Sequence, residues 1–308
     1  MASGSVKLSV LEKHGFSGIR RWPNKNKLYS KEAVENFYLH GFVPKKPFIK
    51  KEHKITAFGS CFAGNVSKYL HGHGFNVNAH TWKHADSDFI RIDEIMVHTP
   101  ALRMQFEWAF ENKEIGRIFV GGAEEKAKTY HELEDIKALV TQSDVYIITF
   151  GLTEAWFDRE ENTYLWKFIP HKKLDPERYI NKSVSFSENL ENIEAIYKCI
   201  REVRPDASII MTLSPIPLLG TYSNRSIVAA NSVSKAKLRA ALDEFISLKS
   251  VDENLFYFPS YELVTQYLED PWEDDNRHIT KEAVNSIMQV FDEHFLIREE
   301  GPRKEQGA

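Results

Sequence analysis

Apolar and polar positions follow two different rhythms along this chain. Short, nearly unbroken apolar runs stand at Ile55-Thr56-Ala57-Phe58, Val145-Tyr146-Ile147-Ile148-Thr149-Phe150, Ser208-Ile209-Ile210-Met211-Thr212-Leu213 and residues 255–258. Most of them close on a breaker such as Gly59, Gly151 or Pro215. Runs this short and this rich in β-formers predict strands buried on both faces. Between them, apolar residues recur every three or four positions. Residues 62–70 form one such stretch, stopped by Gly72 and Gly74, and Leu102, Phe106, Ala109 and Phe110 mark another over 100–111. Leu190, Ile193, Ile196, Ile200 and Val203 fall on one face before Pro205, and a helix is expected over 232–247. Val284, Ile287, Met288, Phe291 and Phe295 mark the last, over 280–297, with Thr280 as its cap. These are amphipathic helices. Residues 75–80 read as a further strand.

Strands alternating with helices predict an α/β fold, a mostly parallel sheet covered on both faces. Ligands of such sheets gather at the carboxyl ends of the strands. Those ends are Gly59-Ser60-Cys61, Gly151-Leu152-Thr153-Glu154 and Ser214-Pro215. Residues 1–50 read as an irregular lead-in arm, with a short helical stretch near 30–38. Residues 51–298 read as the α/β domain, and 299–308 as a tail. No internal repeat marks a further boundary.

Composition narrows the class. An apolar fraction of 42% with 27% charged residues suits an ordinary soluble chain with a substantial core. A net charge of -4 argues against nucleic acid as the main partner, so the basic and aromatic residues Arg20, Arg21, Trp22, Lys25 and Lys27 read as a solvated arm. Cys61 and Cys199 are far apart and form no CxxC spacing, which does not suit a disulfide-built secreted protein. No apolar leader follows Met1, and no apolar run approaches the roughly 20 residues that span a bilayer. A soluble, cytoplasmic location without a membrane segment is the expectation. Nothing in the chain fixes its oligomeric state.

Three segments carry candidate chemistry. Gly59-Ser60-Cys61 joins a strand to a helix, where unpaired N–H groups and the helix dipole favour an oxyanion and lower a thiol's pKa. The alternative is a small-residue turn with an inert cysteine. Asp275-Asn276-Arg277-His278 lies just before the last helix, and its spacing lets a carboxylate hold one ring nitrogen while the other faces a nucleophile. Asp274 could take the orienting role instead, and a solvated histidine is the plain reading. After the strongest strand, Thr153 could offer a donor to an oxyanion, and Trp156 a platform for an acyl group or a sugar. A strand-to-loop turn with a packed tryptophan is the alternative there.

His71, His73, His80 and His84 lack a zinc pair with a third ligand, so no metal is expected. Arg225, Lys235, Lys237 and Arg239 could hold an anion or simply make a charged helix face. Cys199 sits within an amphipathic stretch and reads as core.

Taken in order, these segments resemble the GSCFA family. The likeness runs through Phe58-Gly59-Ser60-Cys61-Phe62-Ala63, Thr149-Phe150-Gly151-Leu152-Thr153-Glu154-Ala155-Trp156, Leu213-Ser214-Pro215-Ile216-Pro217-Leu218, Ser234-Lys235-Ala236-Lys237-Leu238-Arg239, Tyr257-Phe258-Pro259-Ser260-Tyr261-Glu262 and Asp275-Asn276-Arg277-His278. That family resembles a distant branch of the SGNH (GDSL-type) hydrolases, which are flavodoxin-like three-layer α/β/α proteins. The resemblance implies an esterase or O-acyltransferase acting on acylated glycans or polysaccharide precursors. It implies catalytic residues at Cys61 or Ser60, His278 and Asp275, with Gly59, Gly151, Thr153, Glu154 and Trp156 around the oxyanion and substrate. In the Gly-Asp-Ser pattern the nucleophile stands two residues after the glycine, which favours Cys61 over Ser60. The usual oxyanion asparagine is Thr153 here. No cofactor is implied, although acyl-CoA could serve a transferase as donor. A non-catalytic module that binds glycan or protein in the same cleft is the contrasting expectation.

Overall fold

The computed structural model of the chain describes residues 21–30, 32–78, 97–114, 117–120, 123–126, 137–138, 140–166 and 169–298. The chain divides into two compact units, Met1–His40 and Gly41–Ala308. In the first, a helical turn at Lys25–Leu28 is capped by the Asn24 side chain, and Val34–Leu39 forms a π-helical segment. The expected tail, 299–308, lies outside the described residues.

The second unit is built on a parallel sheet. Its strands are β1 (Ile55–Gly59), β4 (Val145–Phe150), β8 (Ser208–Leu213) and β9 (Leu255–Tyr257), in the order β1-β4-β8-β9. Val77 adds a parallel bridge to Ile55 on the free side of β1. The strand expected over 75–80 is thus reduced, among the described residues, to this one bridge outside β1, while β4 lies inside it. That is the flavodoxin-like order, which reverses direction between β1 and β4 and leaves a crevice at their carboxyl ends.

Every residue of β1, β4 and β8 is buried, so both faces of the sheet are covered. The covering helices are α1 (Cys61–Gly72), α2 (Thr99–Glu111), α3 (Phe186–Val203), α4 (Ile227–Leu248) and α5 (Lys281–Phe295). On one face Tyr146, Ile148, Phe150, Ile209, Met211 and Leu213 join Phe106 of α2, Ile196 of α3 and Leu242 of α4 in a single apolar cluster. On the other, α1 packs on β1 and β4, and α5 packs against α1. Phe258 there meets Phe291 and Phe295 edge-on at 5.3 and 5.9 Å. Each such buried side chain contributes about 1.5–3 kcal/mol. The second unit is a three-layer α/β/α sandwich, with the covered parallel sheet that its periodicity predicts and the layering that the family resemblance implies.

Caps fix where the helices begin. Thr280 accepts from the Ala283 N–H at the start of α5, and Ser185 forms a reciprocal capping box with Glu188 at the start of α3. Helix α4 begins at Ile227, five residues before the expected start, because the largely exposed apolar stretch Ile227-Val228-Ala229-Ala230 continues the helix.

Two antiparallel sheets have no clear signature in the sequence. One pairs β2 (Arg117–Val120) with β3 (Ala123–Lys126). The other has the order β6-β5-β7, formed by β6 (Thr163–Tyr164), β5 (Glu154–Asp158) and β7 (Tyr179–Ser183). The second springs directly from the end of β4. Buried Asp158 pins it, accepting from Arg178 at 2.6 Å and from the N–H groups of Glu160 and Glu161. Among the described residues no helix is long and apolar enough to cross a membrane.

Candidate active site

A cavity of about 250 Å³ opens at the carboxyl ends of β1, β4 and β8. Among the described residues its working wall comprises Ser60, His98, Gly151, Trp156, Ser214 and Arg277.

Two glycines make the crevice. Gly59 ends β1 at φ +115°, and a Cβ there would stand 1.9 Å from the backbone oxygen of Thr149 on β4. Only glycine lets the turn press so closely on its neighbour. Gly151 donates its N–H to the Val97 oxygen at 2.9 Å, and a Cβ on it would meet the Val97 side chain at 2.6 Å.

The turn after Gly59 delivers Ser60 to the cavity wall. Its hydroxyl accepts from the Phe62 N–H at 3.2 Å, so it serves as the N-cap of α1. Cys61 is the first residue of that helix, and its side chain lies outside the described residues.

The late loop approaches the same cavity. Asp275 accepts through one oxygen from the backbone N–H groups of Arg277 (3.0 Å) and His278 (2.9 Å), and Asn276 turns the chain at φ +52°. Its other oxygen lies 2.5 Å from Nδ1 of His278. These bonds, led by the His278 backbone N–H, hold the Asp275 carboxyl down at about 2. Asp275 rather than Asp274 makes these contacts. Arg277 lines the cavity, donates Nε–H to the Pro217 oxygen at 3.2 Å, and places Nη1 3.2 Å from Nε2 of His278. A guanidinium can only donate, so Nε2 carries the lone pair and Nδ1–H faces Asp275. That is the tautomer of a general base. The structure therefore brings Ser60 and Arg277 to one cavity, while Asp275 and His278, both bonded to Arg277, are not among its lining residues.

The segment after β4 divides. Glu154 and Trp156 line the cavity. Glu154 anchors the overlying loop, accepting from Thr221 Oγ1 (2.5 Å) and the Tyr222 N–H (3.2 Å), and Trp156 meets Tyr222 edge-on at 4.8 Å. Thr153 is different. It is fully buried and absent from the cavity wall. Its N–H and hydroxyl both engage Ser234 (2.9 and 3.2 Å), and its hydroxyl also meets Ser183 at 3.2 Å. Neither group is directed at a bound oxyanion.

Several basic residues are structural. Buried Lys235 donates at 2.7 Å to the oxygens of Gly151, Ser214 and Ile216, tying α4 to the ends of β4 and β8. Burial, reinforced by Arg277, pushes its pKa down to about 7. Arg239 pairs with Glu262 and Asp243, and Lys237 donates to Ser183. Cys199 is buried, donates to Glu111 at 3.2 Å and has its pKa pushed up to about 12, chiefly by burial. Exposed His73 stacks on Tyr69 at 4.1 Å, whereas His80 and His84 lie outside the described residues. Among the described residues no group of three His, Cys, Asp or Glu could hold a metal ion.

His98 belongs to none of the three segments that the sequence marks for chemistry. It caps α2, with Nδ1 accepting from the Ala101 N–H at 3.2 Å. Burial pushes its pKa down from 6.5 to about 4, so the folded ring stays neutral at pH 7. Below 6.5 the unfolded chain binds a proton that the folded chain refuses until about 4. The stability this group contributes is complete above that window and falls by about 1.4 kcal/mol per pH unit inside it. Urea unfolding at pH 7 and pH 5 should show this loss in the wild type, and a correspondingly smaller one in His98→Asn. Equal losses in the two proteins would contradict it.

An α/β/α sandwich whose switch-point cavity is lined by the helix-capping Ser60 and by Arg277 of the Asp–His loop defines the second unit as flavodoxin-like with a chemically equipped crevice. Residues 54–291 match the model of the GSCFA family, and the chain belongs to that family. No curated protein sequence matches it. Solved structures that resemble it include a protein described as a GDSL-like lipase from Bacteroides ovatus, with 12% identity, 78% of this chain and 52% of that one covered, and a TM-score of 0.41. Another is a family 3 carbohydrate esterase from Talaromyces cellulolyticus, with 8% identity, 78% and 94% coverage, and a TM-score of 0.38. A third is the salicylyl-acyltransferase SsfX3 of a tetracycline biosynthetic pathway, with 10% identity, 79% and 53% coverage, and a TM-score of 0.39. The chain spans about half the length of the first and third.

Proposed function

We propose that this protein is an acyl-transfer enzyme, an esterase or O-acyltransferase acting on acylated glycans or polysaccharide precursors. The observation that carries the reading is the Asp275–His278 pair, in the general-base tautomer, held by Arg277 at the cavity that Ser60 lines. Ser60 accepts the Phe62 N–H as a helix cap, and Cys61 stands where the Gly-x-nucleophile spacing of the resemblance puts the attacking atom, two residues after Gly59. Cys61 is accordingly the proposed nucleophile. Its thiol gives its proton to Nε2 of His278 as sulfur adds to the ester carbonyl carbon, and the carbonyl π pair moves to oxygen. Collapse breaks the carbon–oxygen bond, and the departing alcohol takes the proton from His278. Water, or an acceptor hydroxyl, then adds to the thioester and restores the thiol. N–H groups in the first turn of α1 support the oxyanion. For this cycle Arg277 must release Nε2.

Trp156 and Tyr222 give the cavity an aromatic flank of the kind that receives sugar rings. A transferase working in the cytoplasm would draw its acyl group from acyl-CoA. The contact of Arg277 with Nε2 of His278 is the observation that favours the second reading, a non-catalytic module binding glycan or protein in the same cleft. The test is acetate release from 4-nitrophenyl acetate and from acetylated xylan, with and without acetyl-CoA and an acceptor sugar. Turnover that Cys61→Ala abolishes supports the enzyme. Equal background rates in both proteins on every donor leave only the binding module.

A further inference from the structure

The Asp275–His278 loop supplies a proton acceptor, and the proposed chemistry also needs a donor for the carbonyl oxygen. Thr153 stands where the resemblance expects that donor, but its N–H and hydroxyl are committed to Ser234 and Ser183. The cavity wall holds another polar group that the proposed cycle has not used. His98 is 5% exposed and lines the cavity beside Ser60 and Gly151.

Its hydrogen bond fixes its chemistry. Nδ1 accepts the Ala101 N–H, which requires a lone pair on that nitrogen. In the neutral ring the proton must then sit on Nε2, and among the described residues nothing accepts it. An N–H on a buried ring, with no partner and on the wall of a cavity, is a donor awaiting an acceptor from the ligand. His98 is poorly suited to act as a base. A second proton would have to displace the Ala101 N–H from Nδ1, and burial further disfavours the charged ring.

Position strengthens the assignment. Val97, next in the chain, gives its oxygen to the Gly151 N–H and packs where a Cβ on Gly151 would stand. The backbone bearing His98 is thereby locked to the end of β4, across the switch point from the Gly59–Ser60 turn. Helix α2 holds the ring's other nitrogen, so the donor is preorganised rather than recruited.

We propose that His98 is a catalytic residue that donates its Nε2–H to the carbonyl oxygen of the bound acyl group, as the side-chain member of the oxyanion hole. This deepens the acyl-transfer reading and rests on it. The two histidines then have opposite roles. His278 presents a lone pair at Nε2 and accepts the nucleophile's proton, whereas His98 presents a hydrogen at Nε2 and keeps it throughout.

The test combines turnover with a direct view of the ring. His98→Asn retains a side chain able to cap α2, but its shorter amide draws the donor back from where the imidazole Nε2–H stands. It should lower kcat for 4-nitrophenyl acetate on the order of 10²-fold, with KM nearly unchanged and the fold intact. His98→Gln, whose amide can reach further, should recover part of the loss. Wild-type kcat in a folded His98→Asn protein, while Cys61→Ala is inactive, would overturn this inference and leave the nucleophile reading standing. A second readout needs no turnover. Long-range ¹H–¹⁵N spectra of the intact protein should show the His98 ring, identified by its loss in His98→Asn, as the neutral Nε2–H tautomer from pH 5.5 to 8. Saturating acetate, which offers an oxygen acceptor, should shift that Nε2 signal in wild type and in Cys61→Ala alike. A ring protonated on Nδ1, or an Nε2 signal that acetate leaves in place, would refute the donor role even if the chain turns over no ester.

Discussion

Gly59→Ala is expected to leave little folded protein. At φ +115° a side chain already costs about 1–3 kcal/mol. The larger effect is contact. The new methyl would lie 1.9 Å from a backbone oxygen of β4, which cannot retreat without breaking a ladder that pairs five residues of β1 with β4. The sum should exceed about 4 kcal/mol, comparable with the whole stability of many domains. Gly74→Ala is the control. That residue also has positive φ, but a Cβ there meets nothing within 4 Å, so the cost should stay near 1–2 kcal/mol. Urea unfolding followed by circular dichroism separates the two variants. Equal midpoints would mean that Gly59 is not the close approach on which the crevice depends.

His278→Ala should fold normally and lose its chemistry. Its side chain is 44% exposed and contributes no apolar core, so the thermal midpoint should move little. Removing a positioned base costs about 10²–10⁴-fold in rate. Asp275→Asn should follow it closely, because an amide can hold Nδ1 as an acceptor and reverse the tautomer, or can leave the ring loose. Turnover of 4-nitrophenyl acetate, read beside melting curves, distinguishes loss of catalysis from loss of fold. Unaltered turnover in His278→Ala would remove the acid–base mechanism.

The architecture was legible wherever burial was complete. The runs 55–58, 145–150 and 208–213 advertise central parallel strands because both faces exclude water, and helices such as Phe186–Val203 advertise a single apolar face. The β6-β5-β7 sheet was not legible, since its strands mix buried and half-buried positions without alternation and its key bond joins Asp158 to Arg178 across a loop. The site divides in the same way. Gly59, Asp275 and His278 sit in local motifs whose geometry follows from short spacing. His98 and Arg277 act through partners that only the fold supplies, and Thr153 stands at the position of the usual oxyanion asparagine while its hydroxyl turns to Ser234. One local signal for His98 did exist: a polar residue directly before Thr99-Pro100 is a helix N-cap, and a histidine there is unusual enough to examine.

The most direct measurement is intact-mass and peptide analysis of the protein after brief exposure to 4-nitrophenyl acetate. A single acetyl group should appear on Cys61, labile to neutral hydroxylamine, as expected of a thioester, and its formation should slow sharply in His278→Ala. An acetyl group on Ser60 instead, or labelling of Cys61 at the same rate with and without His278, would contradict the assignment of the nucleophile and its base.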